Sequence, residues 1–167
     1  MRAFGRRNMA TITLRVSGDR AKDGEEIAVA GLSAALDAVK GLAWVDIRNP
    51  DADVRKWLLA QGYHEMAVED CFKEPVSKAY VYDNHRFVVV RPRDADRDID
   101  TEFLCVFVTE ELLVTVRHSA MPAVKNFARR FGSKKIQRRA ELGAEYLLYE
   151  MLDAIADDWY RILGGYS

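Results

Sequence analysis

Residues 78–117 read KAYVYDNHRFVVVRPRDADRDIDTEFLCVFVTEELLVTVR, and this stretch decides the fold class. Lys78–Tyr82 and Arg86–Arg91 are rich in β-branched and aromatic residues. They flank Asp83-Asn84, a two-residue turn that lets the chain double back as a hairpin. Phe103–Val108 and Leu112–Arg117 repeat the arrangement around Thr109-Glu110-Glu111. Between the hairpins, RDADRDID over residues 93–100 has the composition of a solvated loop. Successive strands joined by tight turns run antiparallel, so the middle of the chain is predicted to be a meander.

Working outward toward the N-terminus, LAWVDI over Leu42–Ile47 is a strand anchored by Trp44. Asn49-Pro50 then places a capping residue and a first-turn proline ahead of a helix over Asp51–Gln61. Val54, Trp57 and Leu58 share its apolar face, and Gly62 closes it. HEMAVEDCF, from His64 to Phe72, is a second short helix. Further back, Thr11–Val16 alternates as a strand and Ser17–Glu26 has loop composition. Ile27–Ala30 is expected to pair with the first strand, and Leu32–Val39 to form a helix ended by Lys40-Gly41. Toward the C-terminus, Pro122 opens a helix through Phe131, and Lys134–Leu163 reads as one further helix, weakened near its start by Gly143. The sum is one α+β domain over residues 1–167, a largely antiparallel sheet with helices packed on it.

Bulk composition narrows the function classes. Twenty-five basic residues face 26 acidic ones, a balance that gives no support to a nucleic-acid partner. The apolar run at Phe87-Val88-Val89-Val90 stops at Arg91-Pro92, far short of the roughly 20 residues a membrane helix needs. MRAFGRRNMA at the start has no apolar stretch of signal-peptide length, so the chain is expected to stay in the cytosol. Cys71 and Cys105 lack any CxxC spacing and sit among aromatics, as small core residues in a reducing compartment do.

The residues that could carry chemistry are acidic. Glu150, Asp153 and Asp157 recur at helical spacing on one face, where like charges repel by a few tenths of a kcal/mol per pair. Solvent can screen such a face; so can a hard cation, which takes carboxylate oxygens. Glu69-Asp70 is a second acidic pair, near a helix C-terminus where the macrodipole disfavours it. It fits either an exposed acidic turn or a positive partner. His64, His85 and His118 lack a second His or Cys at ligand spacing, and His64 is expected to pack or cap. Lys134, Lys135, Arg138 and Arg139 form a basic run that reads as a solvated helix face. No nucleophile elbow, phosphate loop or zinc-protease motif appears, so nothing points to an enzyme.

Four segments, in order, resemble the cytosolic domain of the CorA family of divalent-cation channels. They are WVDIRNPD from Trp44, GYHEMAVED from Gly62, SKAYVYDNHRFVVV followed by VTVRH, and GAEYLLYEMLDAIADDWYRIL from Gly143. The last is the most specific, and together they cover Leu42 to Leu163. The resemblance implies a three-layer α/β/α domain with a largely antiparallel mixed sheet and the start of a stalk helix at the C-terminus. It implies a regulatory part of a Mg2+ transporter, with Co2+ or Zn2+ as other cations in reach. The partner is then a homopentamer, no nucleic acid, and the membrane only through transmembrane helices that these residues lack. Asp70 matches the acid of the family's main inter-subunit metal site, while Glu69 and Asp153 match acids of a second one. Pro75-Val76-Ser77 stands where the family has Gln-Arg-Pro, so the loop beside the acids departs from the pattern. A ZntB-like zinc transporter domain, or a stand-alone interaction module with the same fold, are the alternative readings.

Overall fold

The computed structural model describes residues 9–18, 24–96 and 100–164. The reading of the first eight residues, and those of residues 19–23 and 97–99 as loop, lie outside the described residues. In chain order the elements are β1 (Thr11–Val16), β2 (Glu25–Glu26), α1 (Val29–Asp37), β3 (Ala43–Arg48), α2 (Ala52–Ala60) and α3 (Glu65–Asp70). They continue as β4 (Lys78–Val81), β5 (Arg86–Val90), β6 (Leu104–Val108), β7 (Leu112–Arg117), α4 (Pro122–Phe131), α5 (Lys134–Arg138) and α6 (Ala144–Gly164).

The described strands form one sheet in the order β2-β1-β3-β7-β6-β5-β4. The predicted meander is its right half, β4 to β7, antiparallel throughout. The single parallel pairing, β3 with β7, joins that half to the antiparallel β1–β3 pair. Helices cover both faces. Ala43, Val45 and Ile47 of β3 meet Cys105 and Phe107 of β6 in a core beneath α1, α2 and α3. The alternating residues Leu42, Trp44, Leu104, Val106 and Val108 turn the other way, onto Phe127 and Phe131 of α4 and Leu147 and Met151 of α6. This is the period of two that puts successive side chains on opposite faces. Because both faces are covered, β6 is buried at every position. The α+β, three-layer α/β/α architecture is therefore what the chain adopts.

Several local expectations are corrected. Ile27–Ala30 is not a strand: β2 is the two residues before it, and Val29 already belongs to α1. The Ile27 N–H still donates to the Ile12 carbonyl of β1 at 3.0 Å, but the chain then leaves that edge and turns into α1, with Ile27 packed against the core. Asn49 does not cap α2. It sits at φ +56 ahead of Pro50, and Asp51 caps instead, its Oδ1 accepting the Val54 N–H at 2.9 Å. The expected helix over Lys134–Leu163 is broken: α5 passes into a 3-10 turn at Ala140–Leu142. Gly143 separates that turn from α6 at φ +80 and ψ −175, a region essentially restricted to glycine. The 93–100 connection is not wholly solvated either. Arg93 is buried, and its guanidinium grips Asp158 of α6 with Nε–Oδ2 3.0 Å and Nη2–Oδ1 3.1 Å.

Candidate functional site

α3 owes its position to its first turn and its apolar face. His64 caps it, with Nδ1 accepting the Met66 N–H at 3.1 Å, and Ala67, Val68 and Cys71 anchor it in the core. That seating leaves Glu69 and Asp70 at the rim, with side chains 26% and 22% exposed. Each has a basic neighbour from a different element. Glu69 pairs with Arg55 of α2 and lies 3.8 Å from Lys73. Asp70 accepts from Lys78 Nζ of β4 at 2.9 Å, and this hydrogen bond lifts the Lys78 ammonium above its ordinary pKa.

Asp153 lies on α6, half exposed, and binds Arg130 of α4 at 2.7 Å. The same guanidinium reaches Asp157 and lies 3.5 Å from Glu150. The like charges along α6 are thus offset by a positive partner within the chain. Glu150 is buried, which pushes its carboxyl up, but hydrogen bonds from Tyr146 (2.6 Å) and Lys135 outweigh this and hold it below the ordinary range.

One chain does not bring the three predicted acids together. Glu69 and Asp70 belong to the helical layer on one face of the sheet, and Asp153 to the layer on the other. Among the described residues, no group of three or more His, Cys, Asp or Glu side chains could hold a metal ion. The basic partners Arg55, Lys78 and Arg130 escaped the sequence reading. Only Lys73, four residues after Glu69, carried a local signal; Arg130 meets Asp153 across 23 residues of sequence.

The remaining candidates have structural roles. His64 stacks on Tyr82, and His85 is buried against Tyr63 and Tyr82. His118 Nε2 lies 2.8 Å from the Cys71 carbonyl. Cys71 and Cys105 are free thiols in the core, as read from their neighbours. Within the basic run Lys134, Arg138 and Arg139 are exposed, while Lys135 reaches back to Glu150 at 3.1 Å.

The family whose description is CorA-like Mg2+ transporter protein matches residues 39–165. A Bacillus subtilis (strain 168) protein named as a metal ion transporter, YfjQ, is 27% identical over 124 residues, which are 72% of this chain and 37% of that protein. Among solved structures, the soluble domain of CorA from Methanocaldococcus jannaschii superposes with a TM-score of 0.66 at 18% identity, over 92% of this chain and 59% of that one. The ZntB cytoplasmic domain from Vibrio parahaemolyticus RIMD 2210633 gives 0.65 at 10% identity, over 93% and 61%. These two likenesses establish the fold. The chain spans little more than a third of the length of its curated relative.

Proposed function

The chain belongs to the CorA-like Mg2+ transporter family, and on that footing we propose that it is the cytosolic cation-sensing domain of a divalent-cation transporter. Residues 1–167 act as one domain, and in this reading the membrane part belongs to the portion of the relative's length that this chain does not span, since it covers 37% of that protein. In this reading Mg2+ binds between neighbouring copies of a homopentamer, through Asp70 and Glu69 of one face and Asp153 of another.

The observation that carries the proposal is the state of the acids. Each is a hard oxygen donor at the surface, held by a basic partner that is itself partly exposed. Hard cations of the Mg2+ class select such donors. Because Asp153 lies across the sheet from Glu69 and Asp70, only side-by-side copies can unite the two sets. A cation bound there favours the assembled state by as much as it prefers that state over the free chain. Lys78 and Arg55 compete with the ion, which keeps its affinity low in the isolated chain.

Sedimentation velocity with and without millimolar Mg2+ tests this. The expected result is a larger species with Mg2+ that Asp70→Ala abolishes. Identical sedimentation in both conditions, or an Asp70→Ala chain that responds like the parent, overturns the assignment. The near-equal TM-score to the ZntB domain supports a second reading, in which Zn2+ is the ion sensed. Under it, micromolar Zn2+ and not Mg2+ or Co2+ drives the shift.

A further inference from the structure

On the α4 side of the sheet, α6 packs on β6 and β7, while α4 lies over Trp44 of β3, with β1 beside it. Between the first turns of α4 and strands β1 and β3 lies a cavity of about 560 Å3. Its size falls in the range of small-molecule sites, roughly 300–1,000 Å3. Arg15, Arg48, Arg117 and Lys125 line it, with Asp46 as the acid among them and Trp44, Met121 and Val124 as apolar wall.

The period-two register explains the charge. Trp44, Asp46 and Arg48 alternate along β3 onto this face, beside Arg15 of β1 and Thr115 and Arg117 of β7. Asp46 is fully committed. It accepts from Thr115 Oγ1 at 2.8 Å and from Arg117 Nη2 at 2.9 Å, with Arg117 Nε within 3.3 Å of both its oxygens. Thr115 Oγ1 in turn accepts from the Trp44 indole N–H at 2.9 Å. Among the described lining residues one acid thus meets one guanidinium, which leaves Arg48 and Lys125 as the cations in excess. Arg15 lies over the Trp44 ring, its Cζ 4.7 Å from the centroid. Arg48 has a buried Nε–H with no hydrogen-bond partner, and neither it nor Lys125 forms an ion pair among the described residues. Buried donors are seldom left unmet in folded proteins.

We propose that this cavity is a binding site for a phosphate group, with Arg48 and Lys125 as its principal ligands. A guanidinium fork matches two phosphate oxygens, and an ammonium adds a point charge. A doubly charged oxyanion answers the surplus of cations better than a single carboxylate does. The phosphate comes either free or as the ester of a small metabolite. This inference is independent of the cation-sensing reading and uses none of its residues.

The test is isothermal titration of the chain with inorganic phosphate, adenosine 5′-monophosphate and adenosine at constant ionic strength and without divalent metal. The indole N–H resonances are followed by NMR in the same samples. Phosphate and the nucleotide are expected to bind and to shift the Trp44 signal, and adenosine is expected to do neither. Arg48→Gln and Lys125→Gln should each weaken binding by about tenfold or more, with an unchanged thermal midpoint as the check on folding. Tighter binding of the nucleotide identifies the ester as the source, and equal binding identifies free phosphate. The proposal fails if adenosine binds as well as its monophosphate. It also fails if neither anion moves the Trp44 signal, or if both variants bind like the parent.

Discussion

Asn84 and His85 at the tip of the β4–β5 hairpin show how much a single residue can fix. His85 Nε2 accepts the His64 N–H at 3.3 Å, so in the neutral ring Nδ1 carries the proton and donates to Asn84 Oδ1 at 2.7 Å. Asn84 Nδ2 then donates to the Gly62 carbonyl at 3.0 Å, tying the hairpin to the loop ahead of α3. Burial, and after it the neighbouring His64, lowers the pKa of His85. The unfolded chain takes up this proton near the ordinary value of about 6.5, before the folded chain does. Stability is therefore lost as pH falls through about 6.5 and on down to the lower folded value. Urea midpoints at about pH 7.5 and about pH 5.5 should differ by less in His85→Gln than in the parent. Equal differences would remove His85 as the cause. The sequence left His64 to pack or to cap, and the residue does both, stacking on Tyr82 and accepting the Met66 N–H. The sequence could not reveal that His85 supports His64, because the contact spans 21 residues and depends on how a hairpin docks. The pairing of Asp153 with Arg130 was opaque for the same reason.

Among elements, α6 shows both the reach and the limit of pattern reading. Its apolar positions announced a long helix; Leu147 and Met151 are indeed buried, while Leu142 and Leu152 are exposed. Its start was misplaced because a glycine in a helical pattern reads as a small penalty, whereas here it is the break itself. The Ala144 N–H donates to the Glu110 carbonyl at 2.9 Å, so the β6–β7 turn caps the helix from outside. A Cβ on residue 143 would stand 2.9 Å from that same carbonyl oxygen. Gly143→Ala therefore meets both a forbidden backbone region and a backbone clash, and should cost about 2 kcal/mol of unfolding free energy by urea titration. A loss below a few tenths of a kcal/mol would show that the turn moves aside freely. Ile27–Ala30 failed in the opposite sense. Its composition suited a strand, but beyond the Ile27–Ile12 backbone hydrogen bond the chain turns away from β1 into α1.

For the molecule as a whole, the sheet is shared by two cores, and neither helical layer has a core of its own without it. Trp57 reports the α1–α3 side and Trp44 the α4–α6 side. Tryptophan fluorescence and far-UV circular dichroism should therefore trace a single coincident urea transition. Two separated transitions would mean that one layer can leave while the sheet persists. The meander was legible because each of its pairings is local, whereas the β3–β7 seam was not, since Asp46 and Thr115 meet across 69 residues. That seam has a consequence for synthesis. At roughly 5–20 residues per second, β3 leaves the ribosome several seconds before β7 exists to pair with it. Throughout that interval the newborn chain offers β3, with Val45 and Ile47, as an open edge. The centre of the finished sheet is thus the last part of it to be shielded, and a nascent chain is most exposed to wrong partners there.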